Sequence, residues 1–168
     1  MSLHPCKIST LTFIDEIYVV NASFTVKGCP LYSPPQGGAL VCTPPKGTYQ
    51  PCAVMCRTGT DYVFSPPLVY FCRLSSAKWD YFSFFHFRAT LPWPNCTAGG
   101  NPTSIKAWSQ QYHYYDGDEH DPNVQATIKD KFHQLLMLSF MRPIFCQSDP
   151  GLCSKDELLV YPEINGKS

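Results

Sequence analysis

Nine cysteines in 168 residues constrain this chain more than any other feature. Thiols at that density are either oxidised to disulfides or held on metal. Structural zinc sites want Cys-x2-Cys or Cys-x4-Cys knuckles with a second pair of ligands. Here the tightest pair, Cys52 and Cys56, encloses three residues, and no second knuckle follows. His4, His86, His113, His120 and His133 are scattered singly. Disulfides are the expected state, with a reduced intracellular zinc protein as the alternative. Sixteen prolines and ten glycines also interrupt the chain too often for long helices or unbroken strands. A loop-rich chain of this kind buries little apolar surface and relies on covalent staples.

Charge narrows the range of partners. Thirteen Lys plus Arg balance thirteen Asp plus Glu, so no long-range field draws the chain to nucleic acid or anionic lipid. Neither nucleic-acid binding nor membrane insertion is expected, and no run reaches the ~18 apolar residues of a spanning helix. Two sequons, Asn21-Ala22-Ser23 and Asn95-Cys96-Thr97, make Asn21 and Asn95 candidate glycosylation sites. Residues 1–12 lack the basic and apolar pattern of a signal peptide. The expectation is an extracellular piece of a longer secreted or cell-surface protein, its signal lying outside this sequence.

Along the chain, residues 1–28 carry two short β-like runs, Ile17–Val20 and Ala22–Val26. Residues 29–96 hold six of the nine cysteines, and Ala98-Gly99-Gly100-Asn101-Pro102 reads as a linker. Beyond it Asp121 and Pro122 form a helix start, followed by Val124, Ile128, Phe132, Leu135, Leu136 and Phe140 at helical spacing. The spacing predicts a helix over about 122–141, stopped by Pro143. Strands are expected before it, over 105–115, and after it, over 158–161. Residues 97–168 thus read as a small β-α-β unit.

The middle region carries a resemblance. Its landmarks run Cys29-Pro30, Pro34-Pro35-Gln36-Gly37, Cys56-Arg57-Thr58-Gly59 with Tyr62, then Cys72, Trp79 and Pro94-Asn95-Cys96. That order resembles the sushi, or complement control protein, module. It departs from the family in having Gln36-Gly37 where Asn-Gly is commoner. The resemblance implies a disulfide-rich all-β unit over 29–96 with Cys29–Cys72 and Cys56–Cys96 bridges. It further implies that the extra pair, Cys42 and Cys52, bridge each other, as in sushi variants with six cysteines. Each long bridge closes a loop of about forty residues and removes on the order of 4 kcal/mol of unfolded-chain freedom in the loop-entropy picture. Trp79 would pack between the bridges.

Both flanks extend the likeness. Ala22-Ser23-Phe24-Thr25-Val26 resembles the end of a hyalin repeat, so 1–28 reads as an incomplete repeat with Cys6 unpaired. Tyr114-Tyr115-Asp116-Gly117, the helix and the pair Cys146 and Cys153 resemble a segment of polydom-like extracellular mosaic proteins, with a local Cys146–Cys153 bridge expected.

Catalytic signatures do not emerge. No Gly-x-Ser-x-Gly, His-Glu-x-x-His or phosphate-binding glycine loop occurs, so no catalytic residue and no cofactor is assigned and the chain is not expected to be an enzyme. The acidic run Asp116–Asp121 fails the EF-hand pattern, because its sixth and twelfth positions are Asp121 and Thr127. It reads as a solvated turn capping the helix. The aromatic stretch from Trp79 to Phe87 is longer than one strand face can bury. The surplus rings would either pack against the tail or face outward; Phe84, Phe85 and Phe87, and separately Tyr62, are the candidate protein contacts. The function expected is extracellular protein recognition or adhesion, with other extracellular or cell-surface proteins as partners. A structural spacer between binding modules is the alternative.

Overall fold

The computed structural model describes residues 28–82, 91–99, 111–147 and 149–164. Most of the expected hyalin-repeat end, with Cys6 and Asn21, lies outside the described residues, as do Phe84, Phe85 and Phe87. The described chain is mostly β-sheet, with few helices and four disulfides.

In chain order the strands are β1 (Gly38–Cys42), β2 (Tyr49–Arg57), β3 (Asp61–Tyr62), β4 (Val69–Arg73), β5 (Lys78–Phe82), β6 (Cys96–Thr97), β7 (Tyr114–Tyr115) and β8 (Leu159–Pro162). Helix α1 spans Pro122–Leu136 and α2 spans Arg142–Phe145. The main sheet has the order β5-β4-β2-β1-β8, and β7 pairs in parallel with the far end of β2. A separate ribbon joins β3 to β6.

β1 and β2 are buried nearly throughout, so both faces of this central hairpin are covered. Strand alternation divides the residues cleanly. Ala39, Val41, Ala53, Met55 and Val69 face α1 and α2, where Ile128, Phe132, Leu135, Leu136 and Phe145 close over them. Leu40, Cys42, Cys52, Val54, Cys56 and Tyr70 face the other way, onto Tyr62, Trp93, Cys96 and Tyr114. Neither α1 nor α2 contributes to that second layer; among the described residues loops and the β3–β6 ribbon cover it, and disulfides pin them. Cys29–Cys72 fastens the chain entering β1, Cys56–Cys96 fastens the 91–97 segment, and Cys42–Cys52 joins directly paired residues of β1 and β2. Cys146–Cys153 alone serves the helical side. These are the pairs that the sushi resemblance and the local spacing imply.

Gly37 and Gly38 explain how the 91–97 segment comes so close. Gly37 sits at φ +69°, and a Cβ on Gly38 would lie 2.8 Å from the Cys96 sulfur and closer still to the Met55 carbonyl. Only a residue without a side chain lets the Cys56–Cys96 bridge lie flat on the hairpin.

The tail departs from the expected self-contained β-α-β unit. Its strands do not form a sheet of their own: β8 lies antiparallel beside β1, with Leu40 opposite Tyr161, and β7 extends β2 at Cys56 and Arg57. The physical reason is that the sheet's helix-facing side is apolar and has no other cover. Of the strand expected over 105–115, residues 105–110 lie outside the described residues; residues 111–113 are helical, and Tyr114–Tyr115 are extended. The helix starts as expected, with the Asp121 carboxylate accepting from Asn123 N (2.8 Å) and Pro122 in the first turn. It stops at Leu136 and not near 141. Pro143, lacking an N–H, sits in the first turn of α2, and the turn between lets Met141 bury fully.

Fully burying Ile128, Phe132, Leu135 and Leu136 contributes on the order of 6–12 kcal/mol before entropic costs. That is comparable to the whole stability of a typical domain, about 5–15 kcal/mol. A fragment of residues 28–99 with its three bridges intact should therefore show no cooperative thermal transition by circular dichroism, whereas the full chain should. A sharp transition in the fragment would mean that 29–96 folds as an independent module.

Candidate recognition surface

Tyr62, a candidate contact on sequence grounds, is fully buried. Its hydroxyl lies 2.8 Å from the Val54 carbonyl and 3.1 Å from the His113 carbonyl, a donor shared between the two. Burial pushes its phenol well above the ordinary range. The His113 ring also meets the Val54 carbonyl, Nδ1 to O at 3.3 Å. Burial lowers the His113 pKa to about 4, only partly offset by that bond, so the imidazole is neutral at physiological pH. The edge of β2 is paired with β4 over 49–52 and with β7 over 56–57. Tyr62 and His113 plug the gap between, where the Val54 carbonyl would otherwise be buried unpaired. Tyr62 is thus a structural residue, and the aromatic after Cys56-Arg57-Thr58-Gly59 serves the interior.

The acidic run is divided. Asp118 is exposed and accepts from His120 N and from the His120 ring, contacts that lower its pKa, as expected of a solvated turn. Glu119 is not solvated: it is 1% exposed. Arg57 reaches both of its oxygens at 2.7–2.8 Å, and the Tyr115 hydroxyl donates to one at 2.9 Å. The side-chain donors of Asp118, Glu119 and His120 lie within 4.8 Å of one another, the spacing of a metal cluster. Both Glu119 oxygens are already committed to Arg57 and Tyr115, so the cluster is spent on an internal ion pair and a turn.

That pair joins the Cys56-Arg57 motif of the middle region to the turn before α1. Sequence reasoning missed it, because the partners are far apart in the chain. The one legible clue was a carboxylate directly ahead of an N-cap beside Tyr115.

Exposed aromatic rings gather elsewhere, on the loop-covered face beside the edge strand β5. Trp93 is buried at their centre, its indole N–H donating to the Ser33 carbonyl at 2.8 Å. Tyr32 and Trp79 meet Trp93 edge-on at 5.5 and 5.6 Å, and Tyr70 closes from below at 5.8 Å. The Trp79 indole donates to the Pro30 carbonyl at 2.9 Å, and its strand position is opposite Cys72. Trp79 thus lies beside the Cys29–Cys72 bridge, while Trp93 takes the buried place that the resemblance gave to Trp79. Tyr81, two residues along β5, shares the face of Trp79. Tyr32 and Tyr81 are 37% and 38% exposed. Phe82 points to the opposite face and stacks on Phe140 at 6.0 Å. Among the described residues β5 pairs only with β4, so its outer edge borders this ring cluster. Tyr32 had no sequence signal beyond its place just after Cys29-Pro30.

Asn95 is exposed, and its side-chain oxygen accepts from Gln36 N at 3.0 Å. No helix among the described residues is long and apolar enough to cross a membrane. No family model, curated protein or solved structure matches the chain.

The Arg57–Glu119 pair yields a stability test. Arg57→Met strands a buried carboxylate and should cost about 2–4 kcal/mol in urea unfolding, discounted because the arginine is partly solvated. Glu119→Gln keeps one acceptor oxygen and leaves no charge buried, and should cost less than half as much. Equal losses would show that the charge of Glu119 is unimportant.

Proposed function

We propose that this chain is a non-catalytic recognition module of an oxidising extracellular setting, secreted or carried on an ectodomain. It binds other extracellular or cell-surface proteins through Tyr32, Trp79 and Tyr81. The observation that carries this reading is the pair of partly exposed rings, Tyr32 and Trp79, packed on buried Trp93 on the disulfide-pinned face, with exposed Tyr81 two residues along the same strand face. Rings already held by neighbours lose little side-chain freedom on binding, and tyrosine and tryptophan are enriched among residues that dominate interface energies. The sushi-like reading of 29–96 is part of this proposal. It is supported by the landmark order and by the bridges Cys29–Cys72, Cys56–Cys96 and Cys42–Cys52. Four disulfides suit an oxidising compartment. The non-catalytic part rests on the sequence, which offers no nucleophile motif, and on the eight cysteines held in disulfides, whose sulfurs cannot attack as thiolates.

The full chain, secreted behind an added signal sequence and fluorescently labelled, can be presented to intact cell layers and their deposited matrix. Saturable binding that falls at least tenfold in Tyr32→Ala/Tyr81→Ala, with unchanged thermal stability, is expected. Undiminished binding in that variant would move the contact elsewhere. Absence of saturable binding would favour a spacer between binding modules.

A further inference from the structure

The β3–β6 ribbon places an exposed apolar side chain directly across from a sequon. Asp61 pairs with Thr97 and Tyr62 with Cys96, and the ladder continues by one bond, from Val63 N to the Asn95 carbonyl at 3.1 Å. Val63 and Asn95 are therefore opposite partners, with side chains on one face and Cβ atoms about 5 Å apart. Tyr62 and Cys96, the preceding pair, point inward and are buried, which turns Val63 and Asn95 outward. Val63 is 50% exposed, among the most exposed large apolar residues described. The Asn95 side-chain oxygen is engaged by Gln36, leaving Nδ2 as the free arm of the amide.

We infer that Asn95 carries an N-linked glycan, attached before this ribbon folds, whose first sugar covers Val63 in the folded protein. The inference rests on the extracellular reading above. In the transfer, Asn95 Nδ2 bonds to the anomeric carbon of a lipid-pyrophosphate-linked oligosaccharide. The carbon–oxygen bond to pyrophosphate breaks, lipid pyrophosphate leaves, and one amide proton passes to a base of the transferase. The folded ribbon resists that reaction. Asn95 is held through its carbonyl by Val63 and through its side chain by Gln36, Cys96 N donates to the Gln36 carbonyl at 2.8 Å, and Thr97 is paired with Asp61. Attachment therefore precedes folding. Once folded, a pyranose on Nδ2 has its C–H face within reach of the isopropyl group opposite, and removing that surface from water is favourable.

The test uses the full chain with Asn21→Gln, secreted from animal cells behind an added signal sequence, so that Asn95 holds the remaining sequon. Peptide mass analysis should find Asn95 glycosylated in protein with four disulfides. Native treatment with peptide-N-glycosidase, which leaves an aspartate at position 95 in every variant compared, should lower Tm by about 2–3 °C, the size expected from re-exposing part of one valine in a domain of this size. In Val63→Ser the drop should vanish. In Ile144→Ser, a 40% exposed apolar site on α2, it should persist. Unmodified Asn95 in secreted, fully oxidised protein would overturn the inference and leave the extracellular reading standing. An undiminished drop in Val63→Ser would overturn the contact. Secreted protein with free thiols throughout would remove the extracellular reading, and this inference with it.

Discussion

A nearly fully buried β-hairpin needs cover on both faces, and the rest of the molecule is arranged around meeting that need for β1 and β2. On one face the cover is conventional: α1 and α2 lay Ile128, Phe132, Leu135 and Phe145 over Ala39, Val41, Ala53 and Met55. On the other it is made of loop and the two-residue strands β3 and β6, with little regular backbone pairing to hold it in place. Three disulfides supply that hold, and each has at least one sulfur-bearing residue in β1, β2 or β4. Trp93, Tyr62 and Tyr70 fill the space between them. The covalent layer thus does for the second face what a packed helix does for the first.

The two halves meet along β2. Its first part pairs with β4, its last two residues pair with β7, and Tyr62 and His113 cap the carbonyl between. Arg57 then leaves the end of the strand to hold Glu119, whose turn leads into α1. On the other side of the hairpin β8 pairs with β1 and brings the chain after the Cys146–Cys153 bridge onto the sheet. Folding of the middle region and of the tail is coupled through two strand pairings, β8 with β1 and β7 with β2, and one apolar layer. That rigidity is also what gives the rings of Tyr32 and Trp79 fixed positions against Trp93.

Local chemistry in this chain is legible, and long-range placement much less so. The N-terminus of α1 could be read because Asp121 and Pro122 act on their immediate neighbours, and its buried face followed from the spacing of Ile128, Phe132 and Leu135. The disulfide pairs followed from likeness to a known framework and not from geometry. The C-terminal end of α1 was misplaced because the break after Leu136 is set by burial of Met141 and by Pro143 starting a new turn. The tail looked separate because a glycine-rich stretch near residue 100 reads as a linker, and nothing local announces that β8 will find β1. Tyr62 looked like a contact because an aromatic beside a turn gives no hint that its hydroxyl meets a strand carbonyl. Glu119 looked solvated because its partner, Arg57, lies 62 residues away.

Whether the sheet unites the two halves is the claim on which the fold and the rigid surface both rest. Native-state hydrogen exchange on the oxidised full chain measures it directly. Amides of β1, β2, α1 and β8 should exchange through a single opening with a common free energy. Exchange of α1 and β8 at a free energy several kcal/mol below that of β1 and β2 would contradict it, and would return the tail to the status of a separate unit.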